Sequence, residues 1–471
     1  MCIQSGQARK KVELAHVFSQ HADAYIASHG VSSTQYKAIN AISRCRTAQL
    51  GGHVLRCNHC GVLEMAYNSC RYRHCPKCQA PKKVRWLEAR KTELLPVPYF
   101  HVVFTLPHEL NPIAAYNPAL IYNLLFKAAW ATVDTLGRDK KRLNGQMGMT
   151  AFLHTWNQKL NQHNHLHCMV PAGAICDVDG KVRWNASKED YLFPVTVMSK
   201  LFGKIFLTEL TKAFKNQELC FKGSIAYLAE ESQFMKLKLQ LKPRPKTWLV
   251  YAKEPFNGAG GGMEYLARYF TKTAIGNERL ISVDEHQVKF KWRDSRNNNQ
   301  TKVMTLAAHE FIRRYLTHIL PDGFMRVRYF GFLANAVKRK NIALIRTLIS
   351  SIKPQDVSSI VSSIPDVHNP RGAYQTSTSH VLCATGCNHS VQTTEYQSQP
   401  NTLSTIDTPA APDSKALTRP EPEPTESITE LMKRVTGIDV TLCKQCKKGH
   451  LEKIQAILPH SAPISILWDT S

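Results

Sequence analysis

Residues 163–167 read HNHLH and run straight into an apolar stretch, CMVPAGAI. Side chains two apart on a β-strand share a face, so His163, His165 and His167 would project together beside a core strand. Two neutral imidazoles at that spacing can hold one divalent ion, while Leu166 points the other way and fixes the strand. A His-x-His pair alone arises often by chance. His154 closes the preceding strand-like segment, where a hairpin would bring it alongside as a third ligand, with Gln158 and His163 as alternatives. The segment EYLARYFTK adds Tyr265 and Tyr269, four apart on a helix and therefore on one face. Spacing alone would make the tyrosines a half-buried helix face and the histidines a polar strand edge. Together they suit phosphodiester chemistry: a cation polarises the phosphate, a phenol attacks it, and Arg268 and Lys272 on the same helix offset its charge.

The cysteines carry a second chemistry. Cys57-x2-Cys60 and Cys75-x2-Cys78 are separated by fourteen residues, close to the spacing of a zinc ribbon in which each turn supplies two thiolates to one tetrahedral ion. Cys45, His53, Cys70 and His74 are interleaved with them and could form a second, Cys2His2 site, so one or two structural zinc ions are expected. The late pair Cys443 and Cys446 has no evident partner pair, and no site is expected there. The block is basic, with aromatics between the charges in RYRHCPKCQAPKKVRW. Arg71, Arg73, Lys77, Lys82 and Lys83 are its candidate phosphate contacts.

The elements that must position these groups follow from periodicity. Residues 8–44 read as two helices with a break at SHGVSS, and 80–95 as a basic helix. Strands are expected at 99–106, 147–156, 165–175 and 247–256, with helices over 113–136 and most of 195–240. Asp-Gly chemistry at 177–184 predicts a hairpin. NGAGGG (257–262) reads as a hinge before a helix over 263–275. It is not a nucleotide loop, because Lys-Ser/Thr does not follow and Met263 stands where the last glycine of GxGxxG belongs. Strands at 286–294 and 301–306 should pair, followed by a helix over 307–320. The expected organisation is N-terminal helices (1–44), a zinc-binding domain (45–95), a main domain (96–350), a Ser/Thr/Pro-rich disordered linker (351–430) and a short tail (431–471). The fold class is α+β, with an antiparallel sheet carrying the metal histidines on its central strands.

The whole chain fits this picture. It has 471 residues, 61 Lys plus Arg against 36 Asp plus Glu, and a formal charge of +25, which favours a polyanionic partner such as nucleic acid. No run of about 18 apolar residues indicates a membrane span, and the N-terminus lacks the pattern of a signal peptide. An intracellular protein is expected, with its fourteen cysteines reduced.

HNHLH, EYLARYF and the cysteine block, together with HVVFTLPHEL, LHTWNQKLNQHNHLHCMVPAGA, YLARYFTK and RYFGFLAN, resemble in order the blocks of the two-tyrosine rolling-circle insertion-sequence transposases of the HUH superfamily, the IS ninety-one family. The resemblance covers roughly residues 10–340. It implies a zinc-binding domain followed by an HUH endonuclease domain. His165 and His167 match the metal histidines and Tyr265 and Tyr269 the nucleophiles, with Mg2+ or Mn2+ as the catalytic ion. The reaction implied is nicking and rejoining of single-stranded DNA at element ends through a 5′-phosphotyrosine, with a homo-oligomer left open. Many members have proline at the position of Asn164, outside the histidine pair.

Other classes explain less. Histidine-triad nucleotide hydrolases want apolar residues between the histidines, and Asn164 breaks that pattern. A zinc-dependent DNA-binding protein without catalysis accounts for the charge and the cysteines but not for the tyrosine helix. An HUH replication initiator or relaxase shares the chemistry but not the zinc block.

Overall fold

The computed structural model describes residues 11–188, 191–243, 247–256, 272–351 and 426–459. Tyr265, Tyr269 and Arg268, the glycine hinge, most of the helix read over 263–275 and most of the linker lie outside the described residues. The protein is α+β, with a central antiparallel sheet behind an N-terminal cysteine-rich domain.

Two helices open the chain, α1 (Leu14–His29) and α2 (Ser33–Ser43). Gly30 at φ 65° ends the first. Ser32 starts the second with a capping box, accepting from Gln35 N at 3.3 Å while the Gln35 side chain accepts from Ser32 N at 2.9 Å. The cysteine block follows, with β1 (Gly52–Cys57) and β2 (Leu63–Tyr67) antiparallel, and then α3 (Gln79–Lys91).

The central sheet has the order β12-β4-β5-β3-β8, with every pairing antiparallel. Its strands are β3 (Tyr99–Thr105), β4 (Gly148–Trp156), β5 (Gln162–Pro171), β8 (Leu249–Phe256) and β12 (Val327–Gly331). The strand that carries the histidine run is therefore in the middle. Alternation sorts its two faces. Leu166, Cys168 and Val170 join the main core under α5 (Pro118–Arg138) and α6 (Val195–Lys215). His165, His167 and Met169 point to the opposite face. That face is covered at one end by Trp86 and Leu87 of α3 and by Ile342 and Ile345 of α9 (Lys338–Ser350). At its other end Trp156 joins the core of α1, α2, β10 (Gln287–Asp294) and α8 (Ala308–Leu316).

Several elements differ in extent from the sequence reading. The helix expected over 113–136 is two, α4 (Asn111–Tyr116) and α5, because Pro118 disfavours helical geometry at Asn117. Asn117 turns that break to use: its amide donates to Ile113 O at 3.0 Å and Cys220 O at 2.9 Å and accepts from Cys220 N at 2.7 Å. The strand expected over 165–175 ends at Pro171 and resumes as β6 (Gly173–Val178), since a Cβ at Gly173 would lie 2.4 Å from the Trp184 ring. The Asp-Gly hairpin joins β6 to β7 (Lys181–Ala186), with Asp179 at φ 54° and Gly180 at φ 74°. The paired strands near residue 300 are β10 and β11 (Gln300–Ala307), with β9 (Leu280–Val283) on the far side of β10. Over 195–240 the second helix is α7 (Glu231–Gln240).

The C-terminal tail is not a loose end. It forms α10 (Ile428–Thr436) and β13 (Leu451–Ile457). β13 lies antiparallel on the free edge of β1, so the sheet of the cysteine block runs β13-β1-β2. Among the described residues, no helix is long and apolar enough to cross a membrane.

Candidate metal and DNA site

Strand register assembles the histidines. His154 on β4 stands directly opposite His165 on β5, and His167 follows on the same face. The ring of His154 lies 5.6 Å from that of His165 and 4.8 Å from that of His167, centre to centre. The three offer nitrogen atoms within 4.8 Å of one another, and all are buried. His163 also packs on His165 but faces solvent and is not in the group, whose third member is His154.

Burial keeps these imidazoles in the form a cation needs. Desolvation, then the neighbouring His163, pushes His165 down to about 3. His167 lies well below the usual range through desolvation, then His154 and His165. Both are neutral near pH 7, so each ring keeps one nitrogen with a lone pair. The Lys272 cation is a smaller cause at both.

Hydrogen bonds decide which nitrogens face inward. His165 Nδ1 donates to His163 O at 2.8 Å, leaving Nε2 as its lone-pair nitrogen. That atom is 3.1 Å from His167 Nε2. On its other side, His167 Nδ1 is 2.9 Å from Nε2 of His101, a buried residue of β3 whose ring stacks on it. A cation on His167 Nε2 requires the Nδ1–H tautomer, and His101 Nε2 is placed to accept that proton. No sequence motif marks His101; its one signal is a lone imidazole inside the apolar run YFHVVFTL. Another residue the patterns do not mark is Arg326, which leads into β12 and donates to Lys272 O at 3.0 Å. Asn164 points to the opposite face, where its amide donates to Asn111 Oδ1 at 3.0 Å.

The cysteines divide differently from expectation. Cys75-x2-Cys78 does not share a site with Cys57-x2-Cys60. It groups with Cys45 and Cys70, all four sulfurs within 4.8 Å, including Sγ···Sγ separations of 3.4 Å for Cys45–Cys78 and 3.6 Å for Cys70–Cys78. Four thiols at such distances suit a tetrahedral zinc ion. Hydrogen bonding from Cys70 and then Cys75 holds the Cys45 thiol down to about 7, toward the thiolate a metal requires. His74 and His53 belong to neither group. His74 is buried and accepts from Leu320 N at 3.3 Å, and desolvation keeps it neutral. His53 sits on β1 opposite Ala66. The reason for the misassignment is that CxxC turns are interchangeable in sequence, and only the fold decides which turns face each other. Cys57 and Cys60 meet Cys443 and Cys446, the pair for which no site was expected.

The basic residues also separate. Arg73 turns inward and donates to Phe324 O at 2.6 Å, Leu320 O at 3.1 Å and Pro321 O at 2.6 Å. Lys77 pairs with Glu13 at 2.6 Å. Arg71 and Lys82 are exposed, joined by a Lys82 Nζ to Arg71 O bond at 2.7 Å, and Lys83 is half-buried beside them.

Comparison with known proteins gives this arrangement a family. Residues 17–106 match the family model described as "Transposase zinc-binding domain", and residues 148–341 match one described as "Putative transposase". A protein of Sinorhizobium fredii named "Putative transposase y4qJ" is 44% identical over 348 residues, covering 74% of this chain and 86% of its own length. The chain belongs to the IS ninety-one family of insertion-sequence transposases. A further relative, the "Transposase for insertion sequence element IS801" of Pseudomonas savastanoi pv. phaseolicola, is 27% identical over 323 residues, covering 65% of this chain and 72% of its own. No solved structure matches the chain. As a member of this family the transposase acts on DNA, and it carries a zinc-binding domain whose cysteines are clustered as described.

Proposed function

We propose that this transposase nicks and rejoins single-stranded DNA at the ends of its element through a 5′-phosphotyrosine, with Tyr265 and Tyr269 as nucleophiles and His154, His165 and His167 holding the divalent ion. The observation that carries the reading is the convergence of three buried histidines on the middle strand of the sheet, the two motif members neutral. A bound Mg2+ or Mn2+ supplies Lewis-acid polarisation of the scissile phosphate. The phenolic oxygen of one tyrosine attacks phosphorus, the P–O3′ bond breaks, and the departing oxygen takes up a proton to become a 3′ hydroxyl. Attack by a 3′ hydroxyl on the phosphotyrosine reverses the exchange, so the bond energy is kept without ATP.

The chain around the tyrosines supports this assignment. β8 ends at Phe256, opposite Tyr99, and the described chain returns at Lys272, whose charge acts on both His165 and His167. Tyr269 is three residues from Lys272, a span of at most about 11 Å. Two tyrosines four residues apart in sequence, which a helix would set one turn apart, suit a relay in which one cleaves and the other receives a second strand. Arg268, Lys272, Arg71, Lys82 and Lys83 are the proposed phosphate contacts, and the setting is the bacterial cytoplasm.

The test is incubation of the protein with single-stranded DNA from the element's ends and Mg2+ or Mn2+, read on a denaturing gel. Wild type should give a covalent adduct that the Tyr265→Phe/Tyr269→Phe double variant lacks. Each single variant should keep some nicking but lose transposition. An adduct in the double variant places the nucleophile elsewhere, and DNA binding with no adduct in wild type leaves a zinc-dependent binding protein.

A further inference from the structure

We infer that Cys57, Cys60, Cys443 and Cys446 form a second zinc site, split between the two ends of the chain, that clasps the C-terminal segment onto the zinc-binding domain. The match to that domain covers 17–106 and includes only half of this ligand set. The inference does not rest on the nuclease chemistry.

The geometry is that of a closed four-thiolate site. All four sulfurs lie within 4.8 Å of one another, with Cys57–Cys446 at 3.7 Å and Cys60–Cys443 at 3.8 Å. A tetrahedron with Zn–S of about 2.3 Å has S···S edges of about 3.8 Å. The separations are far too long for disulfides, and each thiol is free.

The two halves are also the same turn built twice. In the first, Gly61 N donates to Cys57 O at 3.0 Å and Gly61 takes φ 74°. In the second, Lys447 N donates to Cys443 O at 2.9 Å and Lys447 takes φ 54°. One cysteine of each turn also accepts amide protons. Cys57 Sγ accepts from His59 N at 3.4 Å and Cys60 N at 3.5 Å, and Cys446 Sγ from Gly449 N at 3.4 Å. Amides aimed at sulfur favour the thiolate, the form that binds metal. A non-glycine residue held in the left-handed region at Lys447 is a cost that closing the site offsets.

The surfaces around the thiols interlock. Asn58 N donates to His450 O at 3.0 Å, and His450 N donates back to Asn58 Oδ1 at 2.9 Å. A Cβ at Gly449 would stand 2.5 Å from His59 Cβ and 2.6 Å from Cys57 Sγ. A Cβ at Gly51 would stand 2.5 Å from Ile457 O on the other side of the contact. Both glycines therefore permit this docking in particular. Beyond the site, β13 pairs along all of β1, Lys444 meets Glu64 at 2.9 Å and Arg434 meets Glu88 at 3.1 Å. With four protein ligands the ion has no open position, so its role is to hold the segment, not to catalyse.

Cobalt substitution tests the clasp without using DNA. Thiolate-to-cobalt charge transfer reports only sulfur ligands, so the histidine cluster adds nothing to it. The full-length protein should take up cobalt at two four-thiolate sites, and Cys443→Ser/Cys446→Ser should show half the charge-transfer intensity per chain. The same variant should lose hydrogen-exchange protection over residues 451–457. Gly449→Ala keeps every thiol yet should release one of the two ions to a chelator at least tenfold faster than wild type, which covers the case in which the serine variant fails to fold. Wild-type intensity corresponding to one four-thiolate site overturns the clasp, as does unchanged intensity in the serine variant or unchanged release in Gly449→Ala.

Discussion

Replacing His101 by phenylalanine tests how the histidine cluster is tuned. The substitution keeps an aromatic ring in the stack on His167, where the centroids are 5.2 Å apart and the planes 15° from parallel. It removes the nitrogen 2.9 Å from His167 Nδ1. With a cation on Nε2, His167 carries its proton on Nδ1, and in the variant that buried N–H loses its acceptor, a cost of about 1–3 kcal/mol. The metal-free protein has another arrangement: the proton moves to Nε2 and is donated to His165 Nε2, 3.1 Å away. Most of the cost therefore falls on the metal-bound state. The expected result is Mn2+ affinity weakened about 10–100-fold, as outer partners of metal histidines generally contribute. Calorimetric titration with Mn2+ reads this directly, and the metal concentration needed for half-maximal adduct formation should rise in parallel. His101→Gln, whose amide oxygen can accept the same proton, should recover part of the loss. Mn2+ affinity in His101→Phe within about twofold of wild type, well under the range for such partners, would refute the tautomer argument.

Three further outcomes are expected. His318 is depressed to about 4 by burial, below its unfolded value, so the unfolded chain takes up a proton the folded chain refuses. Its contribution is complete above about pH 6.5 and is lost as pH falls toward about 4; between about pH 7.5 and 5 urea denaturation should show wild type losing about 2 kcal/mol more than His318→Gln. Arg73→Ala should lower stability by about 2–3 kcal/mol, because one guanidinium joins three main-chain carbonyls; a shift in thermal midpoint with DNA affinity of the folded fraction unchanged is the expected pattern. Alanine at Arg71, Lys82 and Lys83 together should leave the midpoint in place and reduce the slope of log affinity against log salt by about 2, measured by fluorescence anisotropy on single-stranded DNA.

The clustering of the histidines was legible because it is local. Period two on β5 places His165 and His167, and a short connection brings β4 back so that His154 faces His165. The Asp-Gly hairpin and the paired strands β10 and β11 were legible for the same reason: the turn chemistry lies beside the strands it joins. The cysteines were not, because a CxxC turn carries no mark of its partner, and Cys446 meets Cys57 across most of the chain. Arg73 and Lys77 read as phosphate contacts because composition cannot show that carbonyls beyond α8 and the Glu13 carboxylate await them. His101 was hidden by its setting, since an imidazole amid Val and Phe gains meaning only from the neighbouring strand.

β5 is bonded along both edges, to β4 and to β3, so its main chain can be released only by parting the sheet on two sides. Amide protons at His165 and His167 should therefore exchange only on global unfolding, among the slowest in the molecule. A cradle that stiff behaves as a fixed anvil: it keeps one shape whatever the DNA laid on it does. On the proposed chemistry, substitutions of His165 or His167 should accordingly abolish adduct formation outright rather than change its timing.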